Sequence, residues 1–390
     1  MKVGIFGGTF NPPHIGHIES ATVAAGLLGL DKLIIVPAGE PPHKSLPDGT
    51  PPREMRLRMV RDAFESLPFA EIYEEELNSP GPSYTADTAE AISHAYPGAE
   101  IFLLVGTDMY LTLDTWKDSE RLLALVTPAV FSRSPDDSDR ISDYAGFLKK
   151  QYNADTIVVK NNVVDISSSH LREILPNRGG LGYITDTIYE YIIKNRFYNA
   201  KPNCDWLRSR AHAMLAPERV PHVIGCEKEA ARLAERWDSD IGDALEAAIL
   251  HDITKKLTPE ENVCVLEEHG IHTECLAAGE EKLLHSKSGA ALAKSLFGVS
   301  DAVAAAIMWH TTGRAGMSAL EKVIYLADYI EPERDFPGIE ALRDAAYADI
   351  DKAMIMGLEM SVDDMRKRGI VPNKTTFDAL DDLKNSDSGG

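Results

Sequence analysis

A change of texture near Phe197 constrains the fold of this chain more than any other feature. Before it, strand-like runs at Lys2–Phe6, Lys32–Val36, Ile101–Val105 and Thr156–Val159 alternate with helical patterns at His17–Leu28, Pro52–Leu67, Tyr84–Ala95 and Asp186–Lys194. The run Lys-Leu-Ile-Ile-Val at Lys32–Val36 is almost wholly apolar, as a strand covered on both faces must be. Such alternation predicts a doubly wound α/β unit, a parallel sheet with helices on both faces. After Phe197 strand-like runs nearly vanish, and Ala, Leu and Glu recur at helical spacing in Glu227–Trp237, Ala244–His251, Ser286–Leu296, Ala302–His310 and Leu320–Ile330. The expectation is an α/β domain over residues 1–199 and an all-α domain over residues 204–378. A chain of 390 residues is in any case too long for one ordinary core.

The first strand runs into Gly7-Gly8-Thr9-Phe10-Asn11-Pro12-Pro13-His14-Ile15-Gly16-His17. Glycines let backbone N–H groups approach a polyphosphate, and a helix N-terminus adds favourable partial charge. His14 and His17 stand three apart at the first helical turn, so both can face one anion. Transfer of a nucleotidyl group needs such donors where charge develops on the α-phosphate and the departing pyrophosphate. Farther on, Ser167, Ser168 and Ser169 precede a helix that begins near His170, a second anion-binding terminus from which Arg172 would clamp phosphates bidentately. Its alternative is a helix N-cap beside a solvated arginine. Trp116 offers a face for a pyridine ring and, read alone, a core residue.

A net charge of −21 argues against non-specific binding to nucleic acid or an anionic membrane, but not against small nucleotides. Four cysteines without a C-x-x-C pair fit a reducing cytoplasm. No stretch approaches the roughly 18 apolar residues of a membrane span. A homo-oligomer is left open.

The opening motif resembles the nucleotidyltransferase signature of bacterial nicotinate-nucleotide adenylyltransferases, and further matches follow in order. Pro41-Pro42-His43-Lys44, Arg56 with Met59, Gly81-Pro82-Ser83-Tyr84-Thr85-Ala86-Asp87-Thr88, Val105-Gly106-Thr107-Asp108 with Trp116, and Ile166-Ser167-Ser168-Ser169-His170-Leu171-Arg172 are similar to that family's segments. Ser169 and Leu171 stand where the family has Thr and Ile. The resemblance implies a Rossmann-like nucleotidyltransferase domain. ATP, with Mg2+, would meet Gly7, Gly8, Thr9, Phe10, His14, His17, Ile166, Ser167, Ser168 and Arg172, and the mononucleotide would meet Lys44, Thr85, Asp108, Trp116 and Arg133. His14, His17 and Arg172 would stabilise charge while AMP passes from ATP to nicotinate mononucleotide.

In the helical half the acceptable metal ligands are His222, His251-Asp252, His285, His310 and Asp328. An adjacent His-Asp pair can place an imidazole and a carboxylate on one ion while the carboxylate bridges to a second. The mixed nitrogen and oxygen set suits iron, manganese or a similar divalent metal rather than a structural thiolate zinc site. Two close metals can generate hydroxide and stabilise a phosphoryl transition state. Lys255, one turn beyond the pair, lies on the same face within reach of a phosphate.

This half resembles the YqeK family of HD-domain symmetrical diadenosine tetraphosphate hydrolases through Arg219-Val-Pro-His222, His251-Asp252-Ile-Thr-Lys255, His285, Trp309-His310-Thr311-Thr312-Gly313-Arg314 and Ala327-Asp328 with Glu331-Pro332-Glu333-Arg334. Val223 departs from the small or polar residue usual there. The resemblance implies two ions, iron first. His222, His251, Asp252 and Asp328 would hold one, and Asp252, His285 and His310 the other. Asp252 and Lys255 would be catalytic, and Lys255, Arg314 and Arg334 would neutralise the tetraphosphate. A salt bridge from Arg334 to Glu331 or Glu333 is its structural alternative. The expected whole is a bifunctional enzyme, with a nucleotide-sensing module or a phosphohydrolase of another nucleotide as the alternative for the second half.

Overall fold

The computed structural model describes residues 1–39, 46–79, 81–132, 137–160, 166–272 and 280–387. The chain divides into two compact units, Met1–Lys201 and Pro202–Gly390.

In the first unit six parallel strands form one sheet in the order β3-β2-β1-β4-β5-β6. They are β1 (Lys2–Gly8), β2 (Lys32–Pro37), β3 (Ala70–Ile72), β4 (Glu100–Gly106), β5 (Thr127–Ser132) and β6 (Ile157–Lys160). Ile5 lies in register between Ile34 and Leu103 on one face, and Phe6 between Ile35 and Leu104 on the other, so the centre of the sheet is apolar on both faces. That is the Rossmann-like doubly wound arrangement expected from the alternation. Two strands have weak sequence signals. β3 is a three-residue edge strand without a buried residue, and β5 carries Pro128, which reads against an interior strand.

The chain order reverses between β1 and β4, and the crevice outside their carboxyl ends is where open α/β sheets take ligands. β1 ends there in Gly7-Gly8 and β4 in Gly106. The helix Ile15–Leu28 follows β1 and stops at Gly29, whose φ of 64° gives a left-handed cap that glycine adopts without strain.

The second unit is helical. Its main helices are Cys204–Met214, Val220–Arg236, Ile241–Leu250, Pro259–Glu268, Leu284–Phe297, Asp301–Trp309, Ala319–Ile330, Ile339–Ala348, Ile350–Lys367 and Lys374–Asp387. Side chains cap many of their starts. Asp240 and Ser300 accept from the N3 backbone, and Thr258 with Glu261 and Ser318 with Glu321 form capping boxes. The helix Val220–Arg236 packs on Ile241–Leu250 and Ala319–Ile330, burying Val223, Leu233, Ile249, Val323 and Ile324. Each such side chain contributes about 1.5–3 kcal/mol on burial. No helix among the described residues is long and apolar enough to cross a membrane.

Candidate functional site

The loop after β1 is held from below. Phe10, fully buried, sets its ring edge-on to Phe6, His17 and Phe64 at 5.8, 5.0 and 5.7 Å between centroids. The side chain expected at the nucleotide is thus an anchor in the core. Arg56, only 1% exposed, donates to the carbonyls of Thr9, Ala38 and Gly39 at 3.2, 2.9 and 3.1 Å. One guanidinium therefore ties the ends of β1 and β2 together. Asn11 is buried too, accepting from the Tyr198 hydroxyl at 2.7 Å and donating to Thr50 at 2.9 Å.

His14 and His17 lie ring on ring, 3.7 Å between centroids. The backbone N–H of His14 donates to His17 Nδ1 at 3.2 Å. That bond requires Nδ1 to accept and leaves the Nε2 of a neutral His17 carrying the proton, ready to donate to an anion. Gly16 makes the stack fit, since a Cβ there would lie 3.1 Å from His14 Nδ1 and 3.5 Å from Ile166 Cγ2.

His17 lines a cavity of about 550 Å³ together with Gly7, Gly8, Thr9, Ser83, Tyr84, Thr85, Trp116 and Lys117. The Trp116 indole N–H donates to Thr112 at 3.3 Å, which sets the plane of its ring. Lys117 Nζ lies 3.9 Å over the Tyr84 ring. Glu76 forms part of the wall, where burial pushes its carboxyl up against the opposing pull of the Thr88 hydroxyl bond. Neither Lys117 nor Glu76 was picked out from the sequence.

Other expected residues fall elsewhere. Asp108 is exposed and does not line the cavity. Ser167 caps the helix Ser168–Ile174 by accepting from His170 N–H at 3.1 Å, and Ser168 donates to Pro12 O at 2.8 Å. Arg172 donates to Asn11 O at 2.7 Å and to Ser169 Oγ at 3.1 Å. This helix clasps the loop at Asn11-Pro12, so the N-cap alternative describes Ser167, while Arg172 is bonded rather than solvated. Lys44 and Arg133 lie outside the described residues.

In the second unit, helix ends bring the predicted ligands together. His251 and His310 each follow the last residue of a helix, and their Nδ1 atoms bond Ala248 O and Ile307 O, both at 2.7 Å. His222 Nδ1 is held 3.0 Å from Glu331 Oε1. With Nδ1 engaged, each ring directs Nε2 inward. His222 Nε2 lies 3.0 Å from Asp328 Oδ1. Asp252 Oδ1 lies 3.3 Å from His285 Nε2 and 3.7 Å from His310 Nε2, and these two nitrogens are 3.3 Å apart.

Burial works to raise the Asp252 carboxyl, but His251, His285 and His310 hold it well below the usual carboxylate range. Asp328 behaves alike, burial being overruled by His222 and His251. Burial brings His285 down to about 4, a neutral imidazole available as a ligand. Among the described residues His251 Nε2 and Asp252 Oδ1 are buried without a well-formed hydrogen bond, as atoms kept for a cation would be. The donors fit divalent metal, the ligand type an HD domain implies.

The ligand groupings differ from the expected ones, with Cys226 in place of Asp252 in the first and His251 in place of His285 in the second. The donor atoms of His222, Cys226, His251 and Asp328 lie within 4.8 Å of one another, as do those of His251, Asp252 and His310. Arg219 donates to Asp252 Oδ2 at 2.6 Å, and Arg334 to Asp328 Oδ1 at 2.7 Å, with Glu331 at 3.8 Å. Gly225 gives Glu331 its room, since a Cβ there would lie 2.5 Å from Oε2. A neighbouring cavity of about 980 Å³ is lined by Lys255, His285, His310, Asp328 and Arg334, with Tyr329 and Phe336 in its wall. Arg314 does not line it and instead grips the buried Glu321 at 2.7 and 3.0 Å.

Residues 5–174 match the cytidylyltransferase-like family and residues 219–333 the HD domain family. Probable nicotinate-nucleotide adenylyltransferases from Clostridium acetobutylicum and Gemmatimonas aurantiaca are each 34% identical to this chain, covering 50% and 52% of it and 98% and 94% of their own lengths. A crystal structure of a predicted HD superfamily hydrolase involved in NAD metabolism, from Clostridium acetobutylicum, is 34% identical over 47% of this chain and 97% of its own (TM-score 0.44). A Plasmodium falciparum nicotinic acid mononucleotide adenylyltransferase complexed with NaAD is 20% identical over 51% of this chain and 98% of its own (TM-score 0.42). Through its first half the chain belongs to the nicotinate-nucleotide adenylyltransferase family, and it continues into an HD domain.

Proposed function

We propose that this protein carries out two reactions at two separate sites in the cytoplasm. At the first, nicotinate mononucleotide and MgATP give nicotinate adenine dinucleotide and pyrophosphate. The observation that supports it is the single cavity joining Gly7, Gly8 and His17 to Thr85 and Trp116 in a chain of this family. The glycine N–H groups receive the ATP phosphates, and Trp116 faces the pyridine ring. An oxygen of the mononucleotide phosphate forms a bond to the α-phosphorus while the bond to pyrophosphate breaks. His17 Nε2–H and His14 steady the charge that develops, and no group of the protein is covalently modified.

At the second site the protein hydrolyses a dinucleoside tetraphosphate symmetrically, one water adding as the central phosphoanhydride bond breaks to give two nucleoside diphosphates. The supporting observation is the buried cluster of imidazole and carboxylate donors beside a cavity that also presents Lys255 and Arg334. The bound ions, iron first and manganese next, would supply an activated water and positive charge. Lys255 and Arg334 hold phosphate oxygens and Asp252 fixes the ions. The test is a substrate panel on the intact protein with metal content measured alongside: diadenosine tetraphosphate, nucleoside monophosphates, and nicotinate adenine dinucleotide. Two ADP from the tetraphosphate is the expected result. Tight binding without turnover by fully metal-loaded protein would make this half a nucleotide sensor instead.

A further inference from the structure

We propose that Cys226 is itself a ligand of the metal centre, so that one ion is held by nitrogen, oxygen and sulfur while the other has nitrogen and oxygen donors alone. The inference rests on the metal centre proposed above and adds a residue to it. Cys226 follows His222 by four residues on the helix Val220–Arg236, which puts both on one face. It is 1% exposed, and its Sγ lies 3.3 Å from His222 Nε2, the atom that also faces Asp328 Oδ1 at 3.0 Å. With His251 these residues offer four donor atoms within 4.8 Å of one another, and the His251 Nε2 in that group is buried without a hydrogen-bond partner among the described residues.

The rest of this helical face is also committed to the site. Gly225, adjacent in sequence, leaves space for the Glu331 carboxylate that holds His222 Nδ1. The thiol stands beside imidazole and carboxylate donors. It adds the one soft donor that the described residues bring to the cluster. Thiolate ligation favours iron(II), cobalt(II) or zinc over magnesium or calcium at that position, whereas the Asp252, His285 and His310 position is harder. The two ions therefore differ in affinity and load in sequence.

Cobalt(II) titration of the metal-stripped, full-length protein tests this by absorption spectroscopy. Two bound ions with a near-ultraviolet thiolate-to-cobalt charge-transfer band are expected. In Cys226→Ser, and in Cys226→Val should the serine variant fold poorly, the band disappears and one ion binds at least about tenfold more weakly. Two cobalt ions without the band in the wild type, or a band that survives both substitutions, would overturn ligation by Cys226 while leaving the metal centre standing. A wild type that takes up no cobalt would overturn the metal centre and this inference with it.

Discussion

Arg219 and Asp252 form a direct ion pair in the helical half, the guanidinium Nε donating to a carboxylate oxygen at 2.6 Å. Asp252 is fully buried and Arg219 about a quarter exposed, so solvent screens the pair only in part. In the metal-free protein Arg219 is the arginine bonded to this carboxylate. Arg219→Met should destabilise the metal-free second unit by about 2 kcal/mol, the low side of a broken buried pair because of the partial exposure. The corresponding melting transition falls by roughly 4–8 °C. Added divalent metal should close most of that gap. Calorimetry with and without metal checks it, and an equal deficit in both conditions would contradict the pairing's role.

Trp116 lines the same cavity as His17. Loss of a stacking surface is worth about 1–3 kcal/mol, so Trp116→Ala should lower kcat/KM for nicotinate mononucleotide roughly 5- to 150-fold. KM for ATP should change little. Steady-state kinetics with each substrate varied separates the two, and a loss confined to ATP would reassign the residue.

His285 sets a pH dependence. Burial holds its imidazole at about 4 in the fold, against roughly 6.5 in an unfolded chain. Between those values the unfolded chain binds a proton that the folded one does not. Stability of the metal-free second unit is therefore full above about pH 6.5 and falls as the pH drops toward 4. Thermal unfolding across this range should show the decline, and His285→Asn should flatten it. An unchanged slope in the variant would remove His285 as its cause.

Much of this architecture is legible in the sequence because it depends on local pattern. β1, β2 and β4 announce themselves as apolar runs, and the ligand histidines as histidines at the ends of amphipathic helices. What escapes is produced by convergence of distant segments. Arg56 reads with Met59 as a family-like segment without a stated role, and three carbonyls from the ends of β1 and β2 close around it in the fold. Glu331 reads as a partner for Arg334, yet it is held against His222 from far along the chain. Ser168 and Arg172 read as anion ligands, and the fold bonds them to the carbonyls of Pro12 and Asn11. A sequence reveals which groups a segment offers, but competition among backbone acceptors is decided only in three dimensions.

The most direct measurement assays both reactions in the same full-length preparations: wild type, His17→Ala and Asp252→Ala. Removal of the His17 donor should cut pyrophosphate release from MgATP and nicotinate mononucleotide by about 10²–10³-fold and leave tetraphosphate hydrolysis unchanged. Asp252→Ala should abolish tetraphosphate hydrolysis and metal retention while the adenylyl transfer rate stays at the wild-type value. Hydrolysis that persists in Asp252→Ala, or a loss of both reactions from either substitution in a folded protein, would contradict two independent sites in one chain.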